Sequence, residues 1–333
     1  MILRYAALRR HPDVFRSLTG LGLAAFTDLV TDLLPGHAVR ERERLQRPTR
    51  RRACGAGHPF VLDPRDQLLL AVVWLRVYPT HEVLGYRFGV SDTTVSRTIA
   101  RWLPLLEAAG RATMRLPDPG RKHRRQLDAL LADTPALAVI LDTFEQRVQR
   151  PRDHDAADRL YSGKKKQHTF KVQVAIDEIT GAIVDVADRV PGPTADITLV
   201  AQSGLLARLP PGVGALGDLG YVGLDKLHAH GATPRRKPRG EERPAADRAY
   251  NRAFARRRIP VEHTIGQRRC FQALTQTDRH HRRQHAARTR AVAGLVNRRL
   301  RRVTAYRERL AACAPPHGGR GLAALTFITN VIY

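Results

Sequence analysis

Acidic residues are scarce in this chain of 333 residues: Asp and Glu number 31 against 57 Lys and Arg, a formal charge of +26. Displayed on the surface, that imbalance makes a strongly positive field, so nucleic acid is the leading partner. Lysine is scarce too, at 7 of the 57 cations. The charge is therefore carried by guanidinium groups, which suit bidentate contacts to phosphate and to guanine in the major groove. Codon bias in a GC-rich genome accounts for Arg over Lys but not for the shortage of acids. Cysteine occurs only at Cys54, Cys270 and Cys313. So odd and scattered a set offers no disulfide framework and no Cys-x-x-Cys zinc site, and it favours a reducing cytosol. Long apolar runs are lacking: "GLGLAAF" near the start is far shorter than a membrane span, and no signal-peptide pattern precedes it. The expectation is a soluble protein of the cytoplasm.

Apolar residues make up 43% of the chain, enough for a packed globule, and the length suits two domains or one large one. Residues 64–77, "PRDQLLLAVVWLRV", read as a buried helix with Pro64 in its first turn and Pro79 beyond its end. Thr80 and Ser91 each cap a helical pattern, with Gly89-Val90 between them. Helix, tight Gly turn and second helix make the layout of a helix-turn-helix, about residues 64–108 of a helical region 1–112. Val83, Leu84, Phe88, Val90, Val95, Ile99 and Trp102 are expected to face its core. The opposite face of the second helix offers Thr93, Thr94, Ser96, Arg97 and Arg101; in that geometry Thr93, Ser96 and Arg97 touch bases while Arg101 meets phosphate. An ordinary helical hairpin with a polar outer face is the plainer alternative. Residues 113–135, with Pro117, Pro119, Gly120 and Pro135, read as a linker carrying one short helix.

"LAVILD" reads as a buried strand ending in Asp142. "TFKVQVAID" and "AIVDVADRV" read as a hairpin about "EITG", "ADITLVAQSGLLARL" as a helix, and "GVGALGDLGYVG" as a strand ending in Asp218. This is a mixed α/β order in which the first and fourth strands can lie side by side and bring Asp142 to Asp218. Neighbouring carboxylates raise one another's pKa unless a cation holds both ionised, and oxygen ligands alone point to magnesium or manganese. A third ligand is expected from a helix in the final third. Between Tyr250 and Arg302 there are fifteen Arg but only two acids, Glu262 and Asp278. At helical spacing Arg258, Glu262, Gly266 and Arg269 share a face. Each acid alone is more often a cap or a surface ion pair. "RHHRRQH", with His280, His281 and His285, tempts a metal reading, but amid Arg a solvated or phosphate-facing helix is the expectation.

In order, these blocks resemble the catalytic domain of DDE transposases from bacterial insertion sequences, in the branch related to eukaryotic Harbinger elements. The resemblance spans residues 142–302 and rests on Asp142-Thr143 after an apolar strand, "YSGKKKQHTFKVQV", "GDLGYVG" with Asp218, and "RRRIPVEHTIGQRR" with Glu262. Where the family often has His-Asp, this chain has Ala195 before Asp196, and Pro260 stands unusually close to Glu262. The resemblance implies an RNase H-like domain over 136–304, a mixed sheet with flanking helices, following the all-α helix-turn-helix domain. Residues 305–333 form a tail of unknown role. It further implies two Mg2+ or Mn2+ ions per active site, with Asp142 bridging both and Asp218 and Glu262 completing one each, for cleavage and strand transfer at terminal inverted repeats. Lys164, Lys165, Lys166, His168, Arg258 and Arg269 are then candidates to clamp the DNA backbone. Two DNA ends cut together imply a homodimer or larger assembly. The rivals are a regulator that keeps binding without catalysis, and a structure-specific nuclease on the same fold. If the second helix reads bases, Arg97→Ala weakens sequence-specific binding more than non-specific binding in a competition assay; equal losses on both would count against that reading.

Overall fold

The computed structural model describes residues 2–46, 60–120 and 129–312, with side chains described as far as residue 301. Cys54, Cys313 and the tail from 313 onward lie outside the described residues. Three helices open the chain: α1 (Tyr5–Leu8), α2 (Pro12–Thr19) and α3 (Leu23–Leu45). Tyr5, Phe15 and Phe26 pack ring on ring between them. Among the described residues no single helix is long and apolar enough to cross a membrane; the bent pair α2 and α3 passes on length and composition only.

Local chemistry then sets each helix boundary. Asp63 accepts from the Asp66 N–H to cap α4 (Pro64–Val77), Thr80 accepts from Val83 N–H to cap α5 (His81–Phe88), and Ser91 from Thr94 N–H to cap α6 (Asp92–Thr113). Gly89 closes α5 at φ 63°, a left-handed position that costs a side-chain-bearing residue strain. The expected helix-turn-helix is present. One core assignment is not: Val83 is 52% exposed. Leu84 and Phe88, four apart on one face, take the inward positions, and Val83 lies about 100° round from Leu84.

The second half runs β1 (Ala138–Arg147), α7 (His154–Leu160), β2 (Tyr161–Ser162), β3 (Gln167–Asp177), β4 (Ile183–Val186), β5 (Val190–Pro191), α8 (Asp196–Gln202), α9 (Leu205–Arg208), β6 (Gly214–Leu216), α10 (Leu224–Leu227), β7 (Gly231–Ala232), α11 (Ala245–Arg269) and α12 (His285–Ala312). The sheet order is β2-β3-β1-β6-β7, with β4 and β5 also on β3. β1 and β3 are antiparallel, whereas β1, β6 and β7 are parallel, giving the expected mixed α/β sheet with flanking helices. The strand expected over 182–190 is split into β4 and β5. The helix expected over 195–209 breaks into α8 and α9 at Gly204, whose φ is 66°. Alternate residues of β1 serve two layers: Ala138, Ile140 and Phe144 join the core shared with the helical region, while Leu137, Val139 and Leu141 pack with Val200, Leu205 and Leu224.

Helix α12 joins the two halves. A Cβ on Gly294 would fall 2.4 Å from the Cα of Gly110 on α6, and one on Gly110 would fall 2.2 Å from the carbonyl oxygen of Arg290. The two backbones therefore cross in direct contact. Asn297 donates to Thr113 Oγ1 at 3.1 Å and to the Ile183 carbonyl at 2.8 Å, and accepts from Ile183 N–H at 2.8 Å. That one side chain ties the end of α6 to strand β4.

The histidine segment departs from its expectation. His285 is fully buried, shares a 2.9 Å hydrogen bond between its Nε2 and Gln146 Oε1, and burial drives its pKa down to about 3. His280 stacks among Trp74, Tyr78 and His81, and burial lowers its pKa to about 4. Beside it Asp278 forms a buried pair with Arg288 and accepts from the Tyr78 hydroxyl. The segment is solvated only in part: Arg279, His281 and Arg283 are exposed, while Asp278, His285 and Arg288 are buried in the joint between the halves, where Asp278 gives Arg288 the counter-charge it needs.

Adding a methyl at the crossing, Gly110→Ala, is expected to cost about 1–3 kcal/mol through overpacking. Gly266→Ala, in open space on α11, should be neutral or stabilising by up to about 1 kcal/mol. Urea midpoints at unchanged slope measure both. A neutral Gly110→Ala would mean that the crossing is loose.

Candidate active site

β1 extends beyond its parallel neighbour. Its pairing with β6 covers Ala138–Ile140 against Gly214–Leu216, so Asp142 and Asp218 each stand two residues past the last paired position. The expected side-by-side placement of the first and fourth strands is realised, with one correction. Asp142 is not at the end of its strand: β1 continues to Arg147 against β3, with Asp142 opposite Val174. Asp218 Oδ1 accepts from Gly220 N–H at 2.8 Å and caps the 3-10 turn Leu219–Tyr221, so it plays the cap role as well as facing Asp142.

Glu262 comes from α11, which is continuous through Pro260. Proline removes a helical N–H and crowds the preceding turn, so the helix needs anchors on both sides. Arg257 supplies one, donating to both Glu178 oxygens at 2.7 and 2.6 Å, to Thr134 Oγ1 at 2.6 Å and to the Pro135 carbonyl at 2.8 Å. Thr264 supplies the other through its 2.7 Å bond to the Gly181 carbonyl. The opposite edge of α11 then presents Arg258 and the exposed Glu262.

These groups act on one another. Burial pushes the Asp142 carboxyl up to about 6; the Thr143 N–H and Arg258 oppose the rise, and the charges of Asp218 and Glu262 add to it. Tyr221, raised first by burial, also feels Asp196, Asp142 and Asp218. The structure thus brings Asp218, beyond a strand end, and Glu262, on a helix, within electrostatic reach of Asp142 on β1.

The sequence reading left out several residues of this region. Asp196 contributes a further carboxylate: its Oδ1 accepts from Lys171 at 2.9 Å and from Thr143 Oγ1 at 3.1 Å. A Cβ on Gly220 would lie 2.5 Å from Asp196 Oδ2 and 3.0 Å from Asp218 Oδ1, so only a bare Cα lets the two carboxylates flank this turn. The signal for Lys171 was a lone cation inside an apolar strand. Arg268 is the other omission. It is buried, its guanidinium carbon lies 3.6 Å from the Phe144 ring centre, and burial lowers its pKa to about 10, with Asp142 opposing. Among the described residues its Nε and Nη1 have no hydrogen-bond partner. Arg269, the residue the sequence reading favoured, is exposed. The buried positions Arg257, Val261, Thr264 and Arg268 follow the helical repeat, and that phase distinguishes 268 from 269.

Lys164, Lys165 and Lys166 form an exposed turn between β2 and β3, and His168 packs on Tyr161. The β1–β3 register runs from Asp142↔Val174 to Arg147↔Thr169, which puts that turn about 17 Å or more along the strands from Asp142 at ~3.4 Å per residue. Within this chain it does not join the carboxylates. On α6, Thr93, Ser96 and Arg97 are exposed as expected, whereas Thr94 shares a 3.0 Å hydrogen bond with Ser91. Arg101 is half-buried, 3.7 Å from Glu41 and over the Phe60 ring. A cavity lined by Phe60, Val61, Thr94, Arg97 and Arg101 lies beside this helix.

An all-carboxylate donor set suits a hard divalent cation, and a buried carboxylate with raised pKa, pressed by two like charges, is stabilised by one. The residues fit such an ion in chemistry and charge. Among the described residues no three His, Cys, Asp or Glu side chains form a closed ligand group; Glu262 stands on the exposed rim. In the absence of divalent ions, ionising Asp142 opposes folding. Its folded pKa of about 6 exceeds the ordinary carboxylate value, so the cost is absent below about pH 4 and complete above about pH 6. Asp142→Asn in EDTA is expected to stabilise the protein at pH 8 by up to about 3 kcal/mol, a gain that fades on acidification to pH 4. A pH-independent difference in melting temperature would contradict the burial of a charged Asp142.

Two family models match the chain: residues 141–297 match the DDE superfamily endonuclease, and residues 60–112 match the helix-turn-helix of DDE superfamily endonuclease. A protein named as a transposase for insertion sequence element IS702, from Microchaete diplosiphon, is 26% identical over 86% of this chain and 94% of its own length. A protein of Rattus norvegicus named as the nuclease HARBI1 is 26% identical over 66% of this chain and 60% of its own length. The segment with the helix-turn-helix and the carboxylate-bearing segment thus match, in order, the two parts of a DDE superfamily endonuclease, and DDE superfamily endonucleases use divalent metal ions.

Proposed function

We propose that this chain is an insertion-sequence transposase: it binds terminal inverted repeats through residues 1–112 and cuts and joins DNA strands with the domain over 136–304. The observation that carries this reading is the gathering of Asp218 and Glu262, from two other elements, into electrostatic reach of the buried Asp142, in a chain whose helix α6 packs on the same body. Asp142, Asp218 and Glu262 are the residues assigned to hold two Mg2+ or Mn2+ ions, which when bound supply an activated nucleophile and offset charge on the leaving oxygen.

The chain's own groups do the rest. Arg258 and Arg268 place positive charge beside the carboxylates, which a phosphodiester would otherwise find repulsive. Lys171 and Thr143 hold Asp196 in one orientation, so its charge is partly neutralised before DNA arrives. On α6, Thr93, Ser96 and Arg97 meet base edges, and the lysine turn at 164–166, distant from the site within one chain, suits DNA held by a second copy. Cutting two ends together calls for a homodimer or larger assembly, acting on the bacterial nucleoid in the cytoplasm.

The decisive assay is Mn2+- or Mg2+-dependent cleavage of a duplex carrying the gene's flanking sequence. The expected result is a cut at a defined position, lost in Asp142→Asn by more than the roughly 10- to 100-fold that removal of an outer partner of a metal site costs. Specific binding with no cleavage by the wild type would instead identify a DNA-binding regulator.

A further inference from the structure

We infer that the outer face of α11, with the segment docked on its first turns, is a track for the backbone of the duplex on the far side of the cleavage point from the helix-turn-helix. The identity of that duplex rests on the transposase reading; the positive surface does not. Helix α11, "AADRAYNRAFARRRIPVEHTIGQRR", carries seven Arg and only two acids. Arg257 and Arg268 point inward, with Tyr250, Phe254 and Val261. At 3.6 residues per turn, Arg248, Arg252 and Arg256 fall on the opposite side, and all three are exposed. None of the three forms an ion pair among the described residues, and like charges four apart repel. The two acids do not relieve them: Asp247 pairs with Arg235 at 3.0 Å, and Glu262 belongs to the carboxylate cluster.

A separate feature extends the row. The backbone of Arg235 is clamped to α11, its N–H donating to Asn251 Oδ1 at 2.8 Å and its carbonyl accepting from Asn251 Nδ2 at 3.0 Å. Its guanidinium lies over the Tyr250 ring, 4.3 Å from the centre. This clamp fixes the exposed Arg236 and Lys237 beside the first turns of α11. The result is a ridge of five cations held on ordered backbone, and a row of like charges of this kind suits phosphates.

Its direction follows from the helix. At ~1.5 Å per residue, Arg248 to Arg256 spans about 12 Å and Arg256 to Glu262 about 9 Å more. The other end of α11 abuts the helical region, where Arg76 of α4 donates to the Cys270 carbonyl. A duplex lying on the ridge therefore leaves the carboxylates away from α6, so the DNA it holds is the flank beyond the cleavage point.

Binding to a mixed-sequence duplex, measured by anisotropy across a KCl series, tests the track with three proteins: wild type, Arg248→Gln/Arg252→Gln/Arg256→Gln, and the same triple to Lys. Each phosphate contact contributes about 0.9 to the slope of log K against log salt, so the Gln triple is expected to lose about 2–3 from that slope and the Lys triple to keep it. On duplexes carrying the terminal repeat, the Gln triple should lose affinity when the flank is present and match wild type when the duplex stops at the cleavage point. An unchanged slope, or equal loss with and without the flank, would overturn the track. If the wild type shows no preference for the terminal repeat, the transposase reading fails, while the mixed-sequence slopes still decide whether the ridge binds DNA.

Discussion

The short parallel pairing of β1 with β6 is the constraint on which the rest depends. Because side chains alternate across a sheet, a slip of one residue would turn Asp142 into the opposite layer, among Leu137, Val139 and Leu141. Close backbone approach holds the register. A Cβ on Gly214 would lie 2.1 Å from the Pro135 side chain and 2.5 Å from the His230 carbonyl, and one on Gly217 would lie 2.4 Å from Tyr221. Gly214, Gly217 and Gly220 are therefore places where the strand and turn meet their neighbours without room for a side chain. They set Asp218 beside Asp142 and open the turn to Asp196.

The scarcity of acids shapes how the arginines are used. Two of the few carboxylates are spent on buried guanidinium groups, Glu178 on Arg257 and Asp278 on Arg288. Buried ion pairs bring little net stability, because desolvation offsets attraction, but breaking one leaves an unpaired charge at high cost. Their role here is placement: Arg257 sets the rotation and height of α11, and with them the position of Glu262. A second group, Arg258 and Arg268, faces the carboxylates without consuming them. Others among the described residues, such as Arg248, Arg252 and Arg256, are exposed, where an excess of cations is tolerated by a protein whose partner is a polyanion.

Reader and nuclease are joined by packing as well as by chain. The crossing of Gly110 and Gly294, the Asn297 clamp and the buried cluster around His280 leave α6 continuous with the sheet through α12. On the proposed function, DNA held by α6 is thereby held at a fixed distance from β1. The price of that rigidity is the burial of His285 and Arg288, whose polar groups Gln146 and Asp278 satisfy only in part.

Most of the architecture is legible in the residues themselves. Caps at Thr80 and Ser91, glycine at 89, apolar alternation from Leu137 to Leu141 and the glycine-flanked Asp218 are local signals, and local physics acts on them without reference to the rest of the chain. Asp142 and Asp218 could be named as acids following short apolar strands, and Glu262 as one of two acids in an arginine-rich stretch, singled out by the family resemblance. What the sequence could not settle depends on contacts between distant segments. Val83 looks as apolar as Leu84, and only the helix phase against α4 and α6 turns it outward. His285 and Arg288 look solvated until Asp278 and Gln146 are folded against them. Pro260 reads as a break until Arg257 and Thr264 anchor the helix on either side. Lys171, Asp196 and Arg268 acquire meaning only where the sheet and α11 bring them to Asp142. Sequence by itself determined the elements and the candidate chemistry, since these follow from propensity, spacing and charge; tertiary structure alone decided which polar groups meet, because burial and pairing are properties of the packed chain.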